Sequence, residues 1–354
     1  MKKCIFITFF LFISLAFSLN AEKNLQLSLK KITEVGKRYT IFYQVVGVCE
    51  DDRLNFYVLD YKAYKVYKFS PDGKPLFSFG SKGEGPGCFR YPRSVFFSTS
   101  GEIIVTETTG EASTFDRKGK ILQKNNFSYS LGRVSRLKYA GSDLFYGEKS
   151  TWNRLRKQLL FNSKGEIKNE SLFTHPPVNI LRGRGMYVKY SNSQYTTTLL
   201  FDYFNKHSAV AISNKYEILI LDEKGEKTGT ITRNIPPAKI TRKEKDYLVK
   251  DIKAMEAPPD VKSTIIFQIP DTKNCFHKLL VSEKYLFVIL VNEDISNKGA
   301  PNSVDIFELS GQYVGNVKME NIPFLISGRY MYFSETSGED MLVVKYGYEL
   351  TPGR

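Results

Sequence analysis

The sequence predicts an all-β protein: a six-bladed β-propeller of four-stranded antiparallel blades, its ring closed by an N-terminal strand, with one inserted helix. Three observations carry this prediction. One hairpin recurs along the chain, its first copies fall at a constant step, and the composition favours strands. Aromatic residues make up 14%, with 26 Phe and 22 Tyr against one Trp, and such side chains pack well on a pleated surface.

The hairpin is first met at residues 66–77, VYKFSPDGKPLF, and reads as strand, tight turn, strand. It returns at 113–122 (STFDRKGKIL), 159–167 (LLFNSKGEI), 219–226 (LILDEKGE) and 306–313 (IFELSGQY). Each copy places a glycine (Gly73, Gly119, Gly165, Gly225, Gly311) where the turn needs a positive φ. Successive glycines lie 46, 46, 60 and 86 residues apart. A period in the forties with about four short strands per unit marks a propeller. A β-sandwich would not return the same hairpin at a fixed step. The longer steps are assigned to a polar stretch at 190–207, and to a helix together with the loop 292–302.

Five hairpins give five blades. The sixth follows from residues 330–335 and 341–346, two strands after which the chain reaches Arg354 with no outer strand. A blade left open there would expose a sheet edge. Residues 25–29, LQLSL, alternate apolar and polar before Ile32, so this N-terminal strand is expected to complete the last blade. Six blades fit best, with five or seven as the alternatives.

One segment breaks the repeat. Over residues 241–255, Thr241 and Glu244 form a capping box, Leu248, Ile252 and Met255 share one face, and Pro258-Pro259 ends the run. The helical insertion is placed at about 238–258. Its apolar stripe either packs on its own domain or serves as a lid or partner contact.

The first 21 residues read as a secretory signal peptide: Lys2 and Lys3, an apolar run over 4–19, then Asn20-Ala21 before a polar turn. The apolar run is short of the ~20 residues a spanning helix needs. Cys4 stands at the front of the run rather than just after it, which argues against lipidation. The expected organisation is a cleaved segment at 1–21 and a single propeller at 22–354, secreted or periplasmic, with no transmembrane anchor after cleavage.

The formal charge is +14, and removing residues 1–21 takes away two lysines and no acid, leaving +12. Such an excess suits nucleic acid, an anionic surface or a polyanionic glycan. Export makes nucleic acid the least fitting. Scattered lysines that keep a sheet protein soluble are the plainer reading, since no five basic residues run together. Cys49, Cys88 and Cys275 allow one disulfide and force none.

Residues 80–92, GSKGEGPGCFRYP, lead into 93–97 (RSVFF) and 101–105 (GEIIV). This resembles the NHL-repeat propellers, whose blades join through a G-x-G-x-G-x-F-x-x-P connection, and especially the six-bladed, NHL-like propellers of exported bacterial proteins. The strand 56–60 ending in Asp60 fits the same pattern, and 65–69 (KVYKF) takes the place of the family's arginine-containing strand. The resemblance covers about residues 50–125. Glu107 and Glu335 stand at the acidic position, while blades three to five lack the glycine-rich connection. The family includes scaffolds, RNA binders and a few lyases or lactonases.

Within that connection, Gly83, Gly85, Pro86 and Gly87 are read as a structural crossing between blades, with Phe89 and Pro92 packed in the seam. An anion-binding loop is the alternative, although no P-loop or dinucleotide fingerprint is present. Asp60 and Glu107 are expected to satisfy turn amides or pair with a cation on the next strand.

Catalytic patterns are sparse. His175, His207 and His277 are separated by 32 and 70 residues, not by a blade step. His277 is expected on an inner strand near the axis. There is no G-x-S-x-G elbow and no H-E-x-x-H helix. Arg182 and Arg184 beside Tyr187 and Tyr190 form a basic-aromatic cluster able to stack a sugar or grip an anion; a blade-connecting loop explains the same residues. No cofactor is implied, with a divalent cation on channel carbonyls left open. The function expected is a non-catalytic binding module for a protein or glycan partner in the cell envelope. The alternatives are a metal-dependent, lactonase- or lyase-like enzyme at the central channel, and a scaffold docking through 241–255.

Overall fold

A computed structural model describes residues 24–37, 40–132, 134–150, 156–169, 174–175, 181–182, 197–254, 266–267, 269–294, 296–297 and 299–353. The expected signal peptide at 1–21 lies outside them.

Six four-stranded antiparallel sheets follow one another around a ring. From inner to outer strand, blade 1 is Val45–Glu50, Phe56–Asp60, Lys65–Phe69 and Pro75–Phe79. Blade 2 is Pro92–Phe97, Ile103–Glu107, Glu111–Phe115 and Ile121–Asn126. Blade 3 is Val134–Gly141, Leu144–Ser150, Arg156–Asn162 and Ile167–Asn169. Blade 4 is Leu199–Phe204, His207–Ile212, Glu217–Leu221 and Lys227–Thr232. Blade 5 is Phe276–Val281, Tyr285–Leu290, Asn302–Glu308 and Tyr313–Met319. In blade 6, Leu325–Ser327, Tyr330–Ser337 and Asp340–Pro352 come from the C-terminal end. Its outer strand is Leu25–Val35, paired from Leu25↔Pro352 to Val35↔Val343. The ring closes as expected, because a blade lacking that strand would leave the polar edge of Asp340–Pro352 unpaired.

The five repeated hairpins share one turn. In each, the glycine amide donates three residues back, as from Gly119 to the Asp116 carbonyl at 2.9 Å, and the amide of that earlier residue donates to the carbonyl just after the glycine, as from Asp116 to Lys120 at 2.9 Å. Their φ values lie between 78° and 98°, a region that L side chains adopt at a cost. Asp116, Asn162 and Asp222 each fold a side-chain oxygen back onto two turn amides, the usual service of Asx residues in turns.

The core is not a single mass. Apolar side chains collect in seams where adjacent blades meet: Tyr57, Phe89 and Phe115 between blades 1 and 2, Phe307 and Phe276 between 4 and 5, Phe56 and Tyr332 between 6 and 1. Fully burying one such ring is worth about 1.5–3 kcal/mol, so each seam is a principal source of cohesion.

The sequence reading needs correction in places. Of the polar stretch at 190–207, residues 199–204 form the inner strand of blade 4 and His207 begins the next. That strand, LLFDYF, is apolar but for Asp202, so the polar label does not describe this part of the stretch. Thr174–His175 is a short strand paired with Arg156 and Lys157. A five-residue helix, α1 (Phe127–Leu131), was not anticipated. The inserted helix, α2, spans Arg242–Ala254. Thr241 Oγ1 accepts from the Glu244 amide at 3.3 Å, and Glu244 accepts from the Thr241 amide at 2.8 Å, the reciprocal capping box. Glu244 is itself buried against Lys273 at 2.8 Å, and Leu248 is buried. Met255, expected on the same face, and the side chain of Ile252 lie outside the described residues.

Candidate functional site

Inner strands of all six blades surround an axial cavity of 1170 Å³. Its lining runs from the starts of those strands (Arg93, Arg136, Thr198) to the turns at their far ends (Asp52, Thr99, Lys206, Glu283). Such a volume exceeds the roughly 300–1,000 Å³ of ordinary small-ligand pockets.

Three consecutive blades contribute charged side chains to its wall, and each ties its blade to the next. Lys138 of blade 3 donates to the Phe201 carbonyl of blade 4 at 2.7 Å. Asp202 of blade 4 accepts from the Val281 amide of blade 5 at 2.8 Å. Lys278 of blade 5 donates to the Pro323 carbonyl, just before blade 6, at 2.8 Å. Burial disfavours every one of these charges. It pushes the Lys278 ammonium down to about 8 and lowers that of Lys138, with Asp202 offsetting part of the effect in both. It also raises the Asp202 carboxyl, against the pull of Lys138 and Lys278. Perturbation of this kind in a cavity marks candidate functional groups. The sequence did carry a signal: a single charge interrupts otherwise apolar strands in LLFDYF and FHKLLV.

At the opposite end the acids are spoken for. Glu50 accepts from Ser327 Oγ at 2.8 Å, from Lys345 Nζ at 2.9 Å and from the Tyr332 hydroxyl. Asp51 pairs with buried Lys68 at 3.5 Å and accepts two turn amides. Asp52 takes the Arg117 guanidinium in a two-pronged grip at 2.6 and 2.9 Å.

His277 lies on the inner strand of blade 5, at an irregularity between Phe276 and Lys278 where the ladder shifts register. The next three residues line the cavity and His277 does not. Its Nε2 is buried without a hydrogen-bond partner among the described residues, and burial, helped by the neighbouring Lys278 charge, lowers its pKa to about 4. Neutral imidazole is therefore the form present near pH 7.

Asp60 and Glu107 do equivalent work in successive blades. Asp60 accepts from the amides of Tyr43 and Gln44, just ahead of its own inner strand, at 2.6 and 3.1 Å. It also accepts from Lys62 and Ala63 in the following turn. Glu107 accepts from the amides of Arg90 and Tyr91 at 2.7 Å each, again just ahead of the inner strand, and has Lys124 at 3.7 Å. Both are buried latches with backbone partners. Glu335, at the matching position in blade 6, instead accepts from the Tyr346 hydroxyl at 2.8 Å.

The glycine-rich connection is closed on itself. Residues Ser81–Lys82 pair in parallel with Cys88–Phe89, the Gly83 amide donates to the Phe89 carbonyl, and the Cys88 amide donates to the Gly85 carbonyl. Lys124 caps the outward carbonyls of Glu84 and Cys88. Gly83 and Gly87 take positive φ, Pro86 is exposed at the loop tip, and Pro92 opens the buried inner strand. Phe89 is fully buried edge-on to Phe115 at 5.8 Å. The amides of Gly83 and Cys88 are thus spent internally.

Of the basic-aromatic cluster, Arg184, Tyr187 and Tyr190 lie outside the described residues. Arg182 is described only through its backbone, paired with Ile266. Among the described residues no group of three or more His, Cys, Asp or Glu side chains is placed to hold a metal ion. The three described cysteines are all free thiols.

No family model matches this chain, and no curated protein matches it. Solved structures do. A protein of Bacteroides fragilis described as exported is 12% identical, covers 93% of this chain and 96% of its own, and superposes with a TM-score of 0.57. A member of the DUF4221 family from Bacteroides vulgatus is 13% identical, with 94% and 100% covered and a TM-score of 0.58. At this identity the likeness is one of fold. Both chains resemble this propeller over nearly its whole length.

Proposed function

We propose that this chain is an exported, non-catalytic binding module of the cell envelope, secreted or periplasmic, which receives a protein or glycan partner at the mouth and wall of its axial channel. One observation carries this reading. The channel is a large cavity held by six inner strands, while Lys138, Asp202 and Lys278 on its wall tie each blade to the next and make no contact ion pair with one another. Rigid elements that hold a cavity open suit selection of a ligand. The leader at 1–21 and an exported structural neighbour support the compartment. Among the described residues no helix is long and apolar enough to cross a membrane.

The rival, a metal-dependent lactonase- or lyase-like site, needs carboxylates and imidazoles converging on the axis. Here lysines flank the central carboxylate, and their charge opposes a second cation. The test is to incubate purified residues 22–354 with acidic and neutral oligosaccharides and follow both thermal shift and ligand recovery by mass spectrometry. Saturable binding with the ligand returned unchanged is the expected result. Turnover, or stoichiometric metal bound through channel carboxylates, overturns it.

A further inference from the structure

The charges of the channel are not balanced where they stand. Its acids at the turn end find partners outside the lining: Glu50 in Lys345, Asp51 in Lys68, Asp52 in Arg117. Glu148 has Arg136 at 3.4 Å, and Glu283 accepts the Gly328 amide. Three cations of the lining, Lys138, Lys278 and Arg93, lack such relief among the described residues. Lys138 and Lys278 each spend one N–H on a backbone carbonyl, which leaves two donors on each ammonium and no charge neutralised. Arg93, which lines the same wall and is exposed, makes no ion pair among the described residues. Its charge lies close enough to depress Lys138 further.

Asp202 is the one carboxylate among them. Its Oδ2 is occupied by the Val281 amide, and neither lysine closes on it as a contact ion pair within 4 Å. A pair built for stability alone would be in contact, because separation forfeits Coulomb energy while the burial cost remains. Two lysines that straddle a carboxylate without touching it leave a gap bearing an excess of positive charge.

We infer that the middle of the channel is an oxyanion-binding site, in which Lys138 and Lys278 receive a carboxylate or phosphate group of the ligand, Arg93 draws it in, and Asp202 sets the spacing of the lysines. This deepens the reading of the channel as a binding site and rests on it. The aromatic rings of Phe96, Phe204 and Phe324 line the same cavity and remain part-exposed, so the remainder of such a ligand meets apolar faces. The net positive charge of the chain favours anion approach from a distance.

The test is titration calorimetry of residues 22–354 with inorganic phosphate, citrate and trigalacturonate, with maltotriose as the neutral control. Binding of trigalacturonate or citrate but not phosphate identifies a carboxylate ligand; phosphate alone identifies the other source. Lys278→Gln and Lys138→Gln are expected to weaken binding about tenfold each, equivalent to about 1.4 kcal/mol. Both residues also tie blades, so two further variants separate binding from folding. Arg93→Gln touches no inter-blade tie and is expected to weaken binding about threefold, an exposed charge being partly screened. Asp202→Asn keeps an acceptor for the Val281 amide, removes the one negative charge and is expected to tighten anion binding. Failure of all three anions to bind, or Arg93→Gln and Asp202→Asn shifting affinity in the same direction, overturns the oxyanion site. If maltotriose binds and the anions do not, the channel remains a binding site and only its ligand class is wrong. Hydrolysis or elimination of trigalacturonate overturns the non-catalytic reading and leaves the anion site standing.

Discussion

Gly73, in the outer hairpin of blade 1, rests on Thr33 of the N-terminal strand. Thr33 Oγ1 donates to the Asp72 carbonyl at 3.1 Å, and a Cβ on Gly73 would stand 2.5 Å from that same oxygen. The hairpin glycine of one blade thus meets the outer strand of the blade before it, and at the ring's seam that strand comes from the other end of the chain. Gly119 against Phe79 and Gly311 against Ile231 repeat the relationship.

Removing residues 24–35 strips the outer strand from blade 6 and the support from the Gly73 hairpin. Its paired edge, from Leu25 to Val35, would be left to solvent. The melting temperature is expected to fall by more than about 10 °C, read by calorimetry on chains 36–354 and 22–354. An unchanged transition would refute the closure.

Gly119→Ala places a methyl 2.7 Å from a ring carbon of Phe79, in a residue with φ of 79°. Gly338→Ala has a φ of 65° but meets nothing within 4 Å. Both pay backbone strain, of order 1 kcal/mol, and only the first adds a clash. Urea midpoints should therefore rank Gly119→Ala as the more destabilised, by about 1–3 kcal/mol beyond Gly338→Ala. Equal losses would show that the blade seam yields freely.

Lys345 and Glu50 join blades 6 and 1 through side chains only 2% and 3% exposed. Lys345→Met leaves a buried carboxylate with two hydroxyl donors and no cation, at an expected cost of about 3–5 kcal/mol. Adding Glu50→Gln removes the stranded charge and should restore a large part of that loss. A double variant no better than the single one would mean that the lysine acts through packing instead.

His277 makes stability acid-sensitive. Its pKa falls from 6.5 in the unfolded reference to about 4 in the folded chain, so between those values the unfolded chain binds more protons. The contribution is intact above pH 6.5, declines as the pH falls toward 4, and is fully lost below that. The loss amounts to at most about 3 kcal/mol. His277→Gln should flatten this segment of the stability profile, measured as urea midpoints at pH 7 and 4.5. Parallel profiles for the two proteins would show that the ring is not held neutral by burial.

The repeated turns were legible because a hairpin is a local object: Asp116 to Lys120 contain every atom needed to close their loop. The capping box at Thr241 and Glu244 was legible for the same reason. The role of Asp60 was visible only as a choice between turn amides and a cation, and the folded chain supplies the amides. His277 was placed on the right strand. A one-residue irregularity in its ladder, which no periodicity reveals, sets it apart from the cavity lining.

By itself the sequence determined the blade: where each hairpin turns, which residues alternate across each sheet, and that the first strand belongs with the last. Those properties follow from backbone φ, side-chain period and an edge in need of a partner, all encoded within a few residues or by simple counting. Only the tertiary structure decided the channel. Lys138, Asp202 and Lys278 are separated by 64 and 76 positions and become neighbours because the ring brings the inner strands of blades 3, 4 and 5 side by side. Charge imbalance is a sum over space, and the order of residues along a chain does not contain that sum until the chain has closed.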